Sequence, residues 1–484
     1  MNDNDSHSLL LALPDPCLLA VLQFCAADDQ RGLFCAARAH SRLHQAAVLA
    51  LPSITAHLKE QQQVDSVLLY LSKHDQHSSI NISSNRLDMH HLPSCPRLNS
   101  LQLSKFQLLL QPGEQLSCFQ GVLKSGQPLK QLRLTDCKLL DGIDRLAAAL
   151  GELPSLEHLS IRRVCFSREY YVWPACLHMD VLQQLTHLTY LELDSIRLEH
   201  SEQGQPALQP LTALTRLVDL RLHGINQVEL TAAMLAAACA LTCLMLYGVF
   251  FEADALAGKT SLQHLHLERC GIKGGATQLL PQLQHLQQVT HLELEDSLTT
   301  AVGGNPPALA YAALTASSKL EHLSINEYRL PAGLWQLLFP AGRLLAHLHS
   351  LSISSVGQPG LWSSYGAAPE GSGIALCCPG LQSLDMRCLK CPLEQLTALQ
   401  GLSELRKLCL ATVVALTKAE LQAVCQLTGL RLLELNTLYC QRLAADTPGM
   451  LLQLTQLRQL TSLHYYGQKV GAGRRVQLVD QVGQ

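Results

Sequence analysis

The pattern Leu-x-x-Leu-x-Leu returns down most of this chain, and a motif recurring at a near-constant period constrains the fold more than any local propensity. Copies begin at Leu98, Leu129, Leu156, Leu188, Leu217, Leu241 and Leu262, then at Val289, Leu320, Leu348, Leu381, Leu405, Leu430 and Leu460. These fourteen starts between Leu98 and Leu460 set a mean period of about 28 residues. Three positions past the closing apolar residue a further inward side chain is expected. The chain supplies Phe106, Cys137, Val164, Ile196, Ile225, Val249, Cys270, Val356, Leu389, Val413 and Leu438 there. A degenerate copy, Ile80-Asn81-Ile82 followed by Asn85, opens the series.

Alternation within Leu-x-Leu is the strand period, whereas stretches such as 139–150 and 420–427 space their apolar residues by three and four, as helices do. One strand and one helix in about 28 residues is the longer class of leucine-rich repeat, an α/β solenoid with a parallel sheet inside and helices outside. Helices need more lateral room than strands, so the array is expected to bend into a horseshoe. A single repeat cannot bury its own apolar face, but fourteen stacked ones can. At about 4.8 Å per strand the inner arc would run roughly 65 Å, a scale that suits a protein or peptide ligand.

The boundaries that follow are a disordered start over 1–12, a helical module over 13–51, a linker with the degenerate first repeat over 52–97, about fourteen repeats over 98–467, and a tail over 468–484. In the helical module Asp15 is placed to cap a helix whose first position is Pro16. Leu18, Leu19, Leu22 and Cys25 share one face of it, and further helices are expected from Asp28 and over 41–49. So small a unit needs something to pack on.

Leu13-Pro14-Asp15, the paired Leu18-Leu19, then Val21-Leu22-Gln23-Phe24 and an Ala/Cys-rich stretch ending at Arg38 resemble an F-box. An F-box ahead of leucine-rich repeats resembles the F-box/leucine-rich-repeat proteins. That resemblance implies docking of the N-terminal module on a Skp1-like adaptor of a cullin ubiquitin ligase, with the repeats holding a protein substrate. The positions carried over are Leu13, Pro14, Leu18, Leu19, Val21 and Leu22. The chain departs from the family at His40, where a tryptophan is usual, and at Pro16, where an acidic residue is usual. The alternative from the residues alone is a non-catalytic leucine-rich-repeat scaffold, cytoskeletal or axonemal, whose N-terminal helices seal the first repeat.

Composition narrows the classes of function. With 15% charged residues and a formal charge of -3, the chain lacks the basic footprint of a nucleic-acid binder. Eighteen cysteines over 484 residues are too dilute for the disulfide framework of a small secreted domain. Met1-Asn-Asp-Asn-Asp-Ser is acidic where a secretory signal is positive, and Pro14 ends the apolar run from Leu9, so an intracellular protein is expected, cytoplasmic or nuclear. The uncharged stretch 232–251 is long enough for a bilayer. Glu229 and Glu252 flank it without the basic asymmetry of a membrane helix, and it contains a repeat copy, so no membrane partner is expected.

Ala257-Gly258-Lys259-Thr260 resembles the end of a phosphate loop, but it precedes a strand instead of following one and reads as a repeat turn. Cys377-Cys378 and Cys388-x-x-Cys391 invite a zinc reading that adjacent cysteines fit poorly. No catalytic constellation and no cofactor motif is evident, so no enzyme is expected. The polar positions of the strands carry His264, His291 and His322 in successive repeats, with His266 two residues beyond His264 and His158 further back. Neighbouring Glu268, Glu293 and Glu295 would raise imidazole pKa values or complete a metal site, or the whole row is a solvated face repeated by duplication. Two irregular stretches carry Tyr171 and Trp173, and Trp362 and Tyr365, as rim anchors or as covers for a helix.

Overall fold

A computed structural model describes residues 13–28, 43, 46, 53–73, 77–85, 87–89, 92–108, 128–139, 143–166, 173–174, 176–199, 206–225, 228–298, 306–327, 330, 334–340, 342–354, 371–387, 396–397, 399–411, 418–437 and 454–467. It divides into two compact units, Met1–Leu217 and Val218–Gln484.

In the first unit helix α1 (Asp15–Asp28) precedes six strands, β1 (Ser53–Leu58), β2 (Ser79–Ser84), β3 (Ser100–Ser104), β4 (Gln131–Thr135), β5 (His158–Arg162) and β6 (Tyr190–Asp194). They pair in parallel and in chain order. Parallel neighbours require crossovers, supplied by α2 (Gln61–Lys73) after β1 and α3 (Ile143–Gly151) after β4. Between β5 and β6 a six-residue 3-10 turn, Met179–Gln184, does the same work. The register stacks Ile80, Leu101, Leu132, Leu159 and Leu191 in one row and Ile82, Leu103, Leu134, Ile161 and Leu193 in the next. All ten are buried.

Strand β1 lies where the sequence reading has linker. Its inward side chains, Ile54 and Leu58, alternate with polar ones, and it contains none of the Leu-x-x-Leu-x-Leu signature. Helix α1 starts one residue earlier than the capping argument places it, because the Pro14 carbonyl accepts the Leu18 amide at 2.9 Å. Leu43 and Ala46 are helical and buried, whereas His40 and the expected second helix lie outside the described residues.

The second unit holds ten parallel strands, β7 (Asp219–His223), β8 (Cys243–Tyr247), β9 (His264–Glu268), β10 (His291–Glu295), β11 (His322–Asn326), β12 (Ser350–Ser354), β13 (Ser383–Arg387), β14 (Lys407–Ala411), β15 (Leu432–Thr437) and β16 (Ser462–Gly467). Each pairs with the next in chain order. Crossovers include α4 (Ala232–Leu235), α5 (Ala276–Leu283), α6 (Leu334–Leu338), α7 (Gly371–Cys377) and α8 (Lys418–Cys425). Short repeats leave no room for a full helix. Leu244 pairs with Leu265 only 21 residues on, and the return between them is the 3-10 turn Ala253–Leu256. The two units are thus built from leucine-rich repeats of the α/β class, each a strand and a helical return around an apolar interior.

The turn leaving each of β3 to β10 is a repeated device. Lys105, Asp136, Arg163, Ser195, Arg269 and Asp296 adopt positive φ, and Gly224 and Gly248 occupy the equivalent place at φ 61° and 65°. Such a conformation costs a non-glycine residue about 1–2 kcal/mol. In return the amide at that position donates to the last carbonyl of the following strand, as from Lys105 to Thr135, Gly248 to Glu268 and Asp296 to Asn326. The next side chain then turns inward, and Phe106, Cys137, Val164, Ile196, Ile225, Val249 and Cys270 are all buried. Val356, Leu389, Val413 and Leu438 lie outside the described residues. In the β10 repeat the inward position is Ser297, whose hydroxyl donates to the Leu267 and Glu295 carbonyls while its amide donates to the buried Glu327 carboxylate at 2.9 Å.

The uncharged stretch 232–251 is divided between α4, β8 and the start of a short side strand, Phe250–Glu252. Among the described residues no helix is long and apolar enough to cross a membrane.

Candidate binding surface

A pleated strand sends alternate side chains to opposite faces, so the residues flanking the buried leucines form three rows on the other face of the sheet. In the second unit the register aligns Cys243, His264, His291 and His322 in the first row, and Met245, His266, Glu293 and Ser324 in the second. Tyr247, Glu268, Glu295 and Asn326 make the third. The sequence-predicted His264, His266, His291, Glu293 and His322 are therefore brought together.

Their contacts are specific. The His264 and His291 rings meet edge to face with centroids 4.5 Å apart, and those of His291 and His322 lie 5.9 Å apart. Glu293 sits between two imidazoles, with His266 Nδ1 3.2 Å from one oxygen and His322 Nε2 3.2 Å from the other. His266 Nε2 also lies 3.7 Å from Glu268. The N–H from His322, reinforced by the charges of His266 and His322, holds the Glu293 carboxyl below the usual carboxylate range. Burial and the neighbouring Glu295 and Asp296 push Glu268 the other way. His291 is lowered by burial and by the histidines on either side. Beside this group Arg269 donates to the Tyr247 hydroxyl at 3.0 Å, and Asp219 and Arg221 form a two-pronged pair at 2.8 and 3.0 Å.

The first unit carries a second polar cluster at the same strand positions. His158 stacks on Tyr190 with ring centroids 3.8 Å apart and 5° between planes, and Arg133 Nε donates to His158 Nε2 at 3.0 Å. Glu192 accepts from Ser160 at 2.6 Å and from Tyr190 at 3.0 Å, and Arg162 lies within 3.6 Å of both Glu192 and Asp194. Of these, sequence reasoning singled out only His158. The others occupy the same offsets from their leucines, which is the signal that would have found them.

The remaining candidates fall elsewhere. Tyr171, Trp362 and Tyr365 lie outside the described residues, as do Cys388 and Cys391. The backbone of Trp173 pairs antiparallel with Phe166, closing a row of short side strands. Cys377 and Cys378 are buried, and burial beside Cys377 pushes the Cys378 thiol up to about 12. Among the described residues no three His, Cys, Asp or Glu side chains converge as a metal site requires. Lys259 is buried under the α4 end and binds carbonyls, so Ala257–Thr260 is a structural turn. At the N-terminus Leu18 and Leu22 are buried within the chain, Leu13 and Leu19 are half-buried, and Pro14 and Val21 are exposed. The shared helical face expected to meet an adaptor is therefore covered at two of its three leucines, because Leu18 and Leu22 turn to the interior and Val21 to solvent.

No family model matches the chain, and no curated protein matches it either. Similar solved structures include an internalin, InlF, from Listeria monocytogenes, at 15% identity over 84% of this chain and 95% of that one, with a TM-score of 0.41. A chain of the Toll–Spatzle complex of Drosophila is 13% identical over 86% of this chain and 54% of that one, with a TM-score of 0.47. The plant peptide hormone receptor RGFR1, in complex with RGF2, is 14% identical over 82% and 68%, with a TM-score of 0.41. The repeat assignment stands on the strands and their register, independently of these likenesses.

Proposed function

We propose that this chain is a non-catalytic, protein-binding repeat scaffold that engages its partner through the polar face of its strands. The observation that carries the reading is the row register of β8 to β11, which sets charged, aromatic and imidazole side chains side by side on an open sheet face. Open sheets of this kind offer a broad contact surface and no closed pocket, which suits a protein partner better than a small substrate. The test is affinity capture with the full chain, followed by identification of bound proteins, repeated with Arg133→Glu/Tyr190→Ala and with His266→Ala/Glu293→Ala. Loss of a captured protein with either variant supports the reading. Capture unchanged by both, or no capture, overturns it.

The finer reading is that the scaffold is the substrate-recognition subunit of a Skp1–cullin–F-box ubiquitin ligase, acting inside the cell. It is supported by Leu13-Pro14 immediately before α1 and by the exposure of Pro14 and Val21. A cap role for the N-terminal helix is favoured by the burial of Leu18 and Leu22, at 0% and 3% exposure. Leu19→Asp/Val21→Asp changes the outward positions and spares the buried ones. Wild-type chain that co-purifies with Skp1, and a double variant that does not, supports the ligase reading; absence of Skp1 from the wild type leaves the helix as a cap.

A further inference from the structure

We propose that the face formed by β9, β10 and β11 is a proton-gated docking surface for a basic segment of a protein partner, one that receives lysine or arginine side chains at neutral pH and releases them on acidification. The inference rests on the reading of this face as a protein-binding surface and adds the chemistry of the partner and a control over it.

Charge complementarity selects the occupant. With neutral imidazoles the face presents Glu268, Glu293 and Glu295, with Asp296 at the strand end and Glu321 just before β11. One oxygen of Asp296 is buried and has no hydrogen-bond partner among the described residues. The neighbouring elements do not neutralise this surplus. On β7 the Asp219–Arg221 pair is self-compensated, and the His223 ring stacks on Tyr247 with centroids 6.4 Å apart. On β8, the Tyr247 hydroxyl accepts from Arg269, and Cys243 is held as a thiol by burial and by Asp219. After β9, Arg269 contributes one cation, 3.9 Å from Asp296. On the far side, β12 offers Ser350, Ser352 and Ser354, preceded by His349. The aromatic rings of Tyr247 and the histidines add flat walls on which the stem of a lysine or an arginine plane can lie.

The gate is an internal competitor. His266 already touches both Glu293 and Glu268, and His322 touches the other oxygen of Glu293. A neutral imidazole has one N–H to give, so His266 can donate to only one of its two carboxylates, and the carboxylates keep their charge for a partner. Histidine gains its proton between about pH 8 and 5, and each contact then becomes an ion pair that quenches the carboxylate in place. Protons on His264 and on His291, whose pKa is lowered by burial and by the histidines on either side, add positive charge that repels a basic segment. The carboxylates thus exchange an external cation for an internal one.

The experiment uses the full chain with deca-lysine and deca-glutamate as probes, titrated at pH 7.5 and 5.5 at one ionic strength. Deca-lysine is expected to bind at pH 7.5 and to weaken at least about tenfold at pH 5.5, with deca-glutamate moving the opposite way. His266→Gln/His322→Gln should flatten the ratio for deca-lysine to within about twofold, and Glu293→Gln should weaken it at pH 7.5 while altering no fold-defining leucine. Circular dichroism at both pH values checks that each variant is folded, and Glu293→Gln serves alone if the double variant is not. No binding of deca-lysine at pH 7.5, a pH-independent affinity, or a folded double variant with the wild-type ratio overturns the proposal. Protein capture that depends on this face but is equal at the two pH values overturns the gate and leaves the scaffold reading in place. Absence of any captured protein would remove that reading, whereas the deca-lysine titration still decides the gate.

Discussion

The ammonium of Lys259 donates to the carbonyl oxygen of Ala238 at 3.1 Å and also to that of Leu235. Leu235 is the last residue of α4 and Ala238 lies in the turn that follows it, where the regular helical hydrogen bonds end. One repeat therefore caps the helix of the repeat before it. Lys259 is only 3% exposed, and burial lowers its pKa from the usual lysine value. Lys259→Met keeps the length of the side chain and removes a charged donor, which leaves the two carbonyls only their backbone partners, the amides of Ala238 and Leu241. Urea denaturation is expected to show a loss of about 1–3 kcal/mol, and a midpoint equal to the wild type would contradict the capping role.

Leu265 and His264 are neighbours on β9 with opposite fates, one buried and one exposed. Leu265→Ala should cost about 2–5 kcal/mol as a core truncation. His264→Ala should stay within about 0.5 kcal/mol. Equal losses in chemical denaturation would mean that the strand faces are reversed.

Glu293 and Glu268 should affect stability in opposite directions. The folded-state pKa of Glu293 is lowered, so its contribution is present above the unfolded carboxylate value of about 4.3 and is lost as pH falls through the folded value. For Glu268 the folded value is raised. Its favourable contribution is confined to low pH and is lost as pH rises through that value, which makes the ionised group a cost at pH 7. Glu293→Gln should thus destabilise and Glu268→Gln stabilise at pH 7, each by less than about 1 kcal/mol because both side chains keep contact with water. Denaturation at pH 7 and at pH 3 checks the signs, and both differences should fade at the lower pH.

Thiol chemistry should follow burial. Cys17 and Cys239 are exposed, whereas burial pushes Cys137 and Cys270 up to about 11 and Cys243, Cys378 and Cys409 up to about 12. Maleimide labelling at pH 7.5, mapped by mass spectrometry, is expected to modify Cys17 and Cys239 promptly and these five only after unfolding. Prompt labelling of Cys270 in the folded chain would contradict its inward position.

The strand rows were legible because leucine at fixed offsets sets both phase and register. Once Leu265, Leu292 and Leu323 are aligned, the juxtaposition of His264, His291 and His322 follows with no further information. What the pattern does not carry is the pairing of side chains across rows. That Glu293 is shared by His266 and His322, while His266 also reaches Glu268, depends on rotamers chosen in the folded sheet. Strand β1 was hidden because Ile54 and Leu58 mark a strand without marking a repeat, and the role of Lys259 was hidden because its acceptors belong to another repeat's backbone.

Every strand within a unit pairs with those one repeat away, at separations in sequence that run from 21 residues, between Leu244 and Leu265, to 33, between Leu351 and Leu384. Chain closure over such distances is inexpensive, and no contact waits for the two ends of the polypeptide to meet. Ordering can therefore begin at whichever repeat is locally most favourable and zip outward, and damage to one repeat loosens its neighbours before it reaches distant ones. Gain or loss of a whole repeat would leave the pairing rules of the survivors intact, so the length of the polar sheet face is a quantity that duplication can adjust without redesigning the fold.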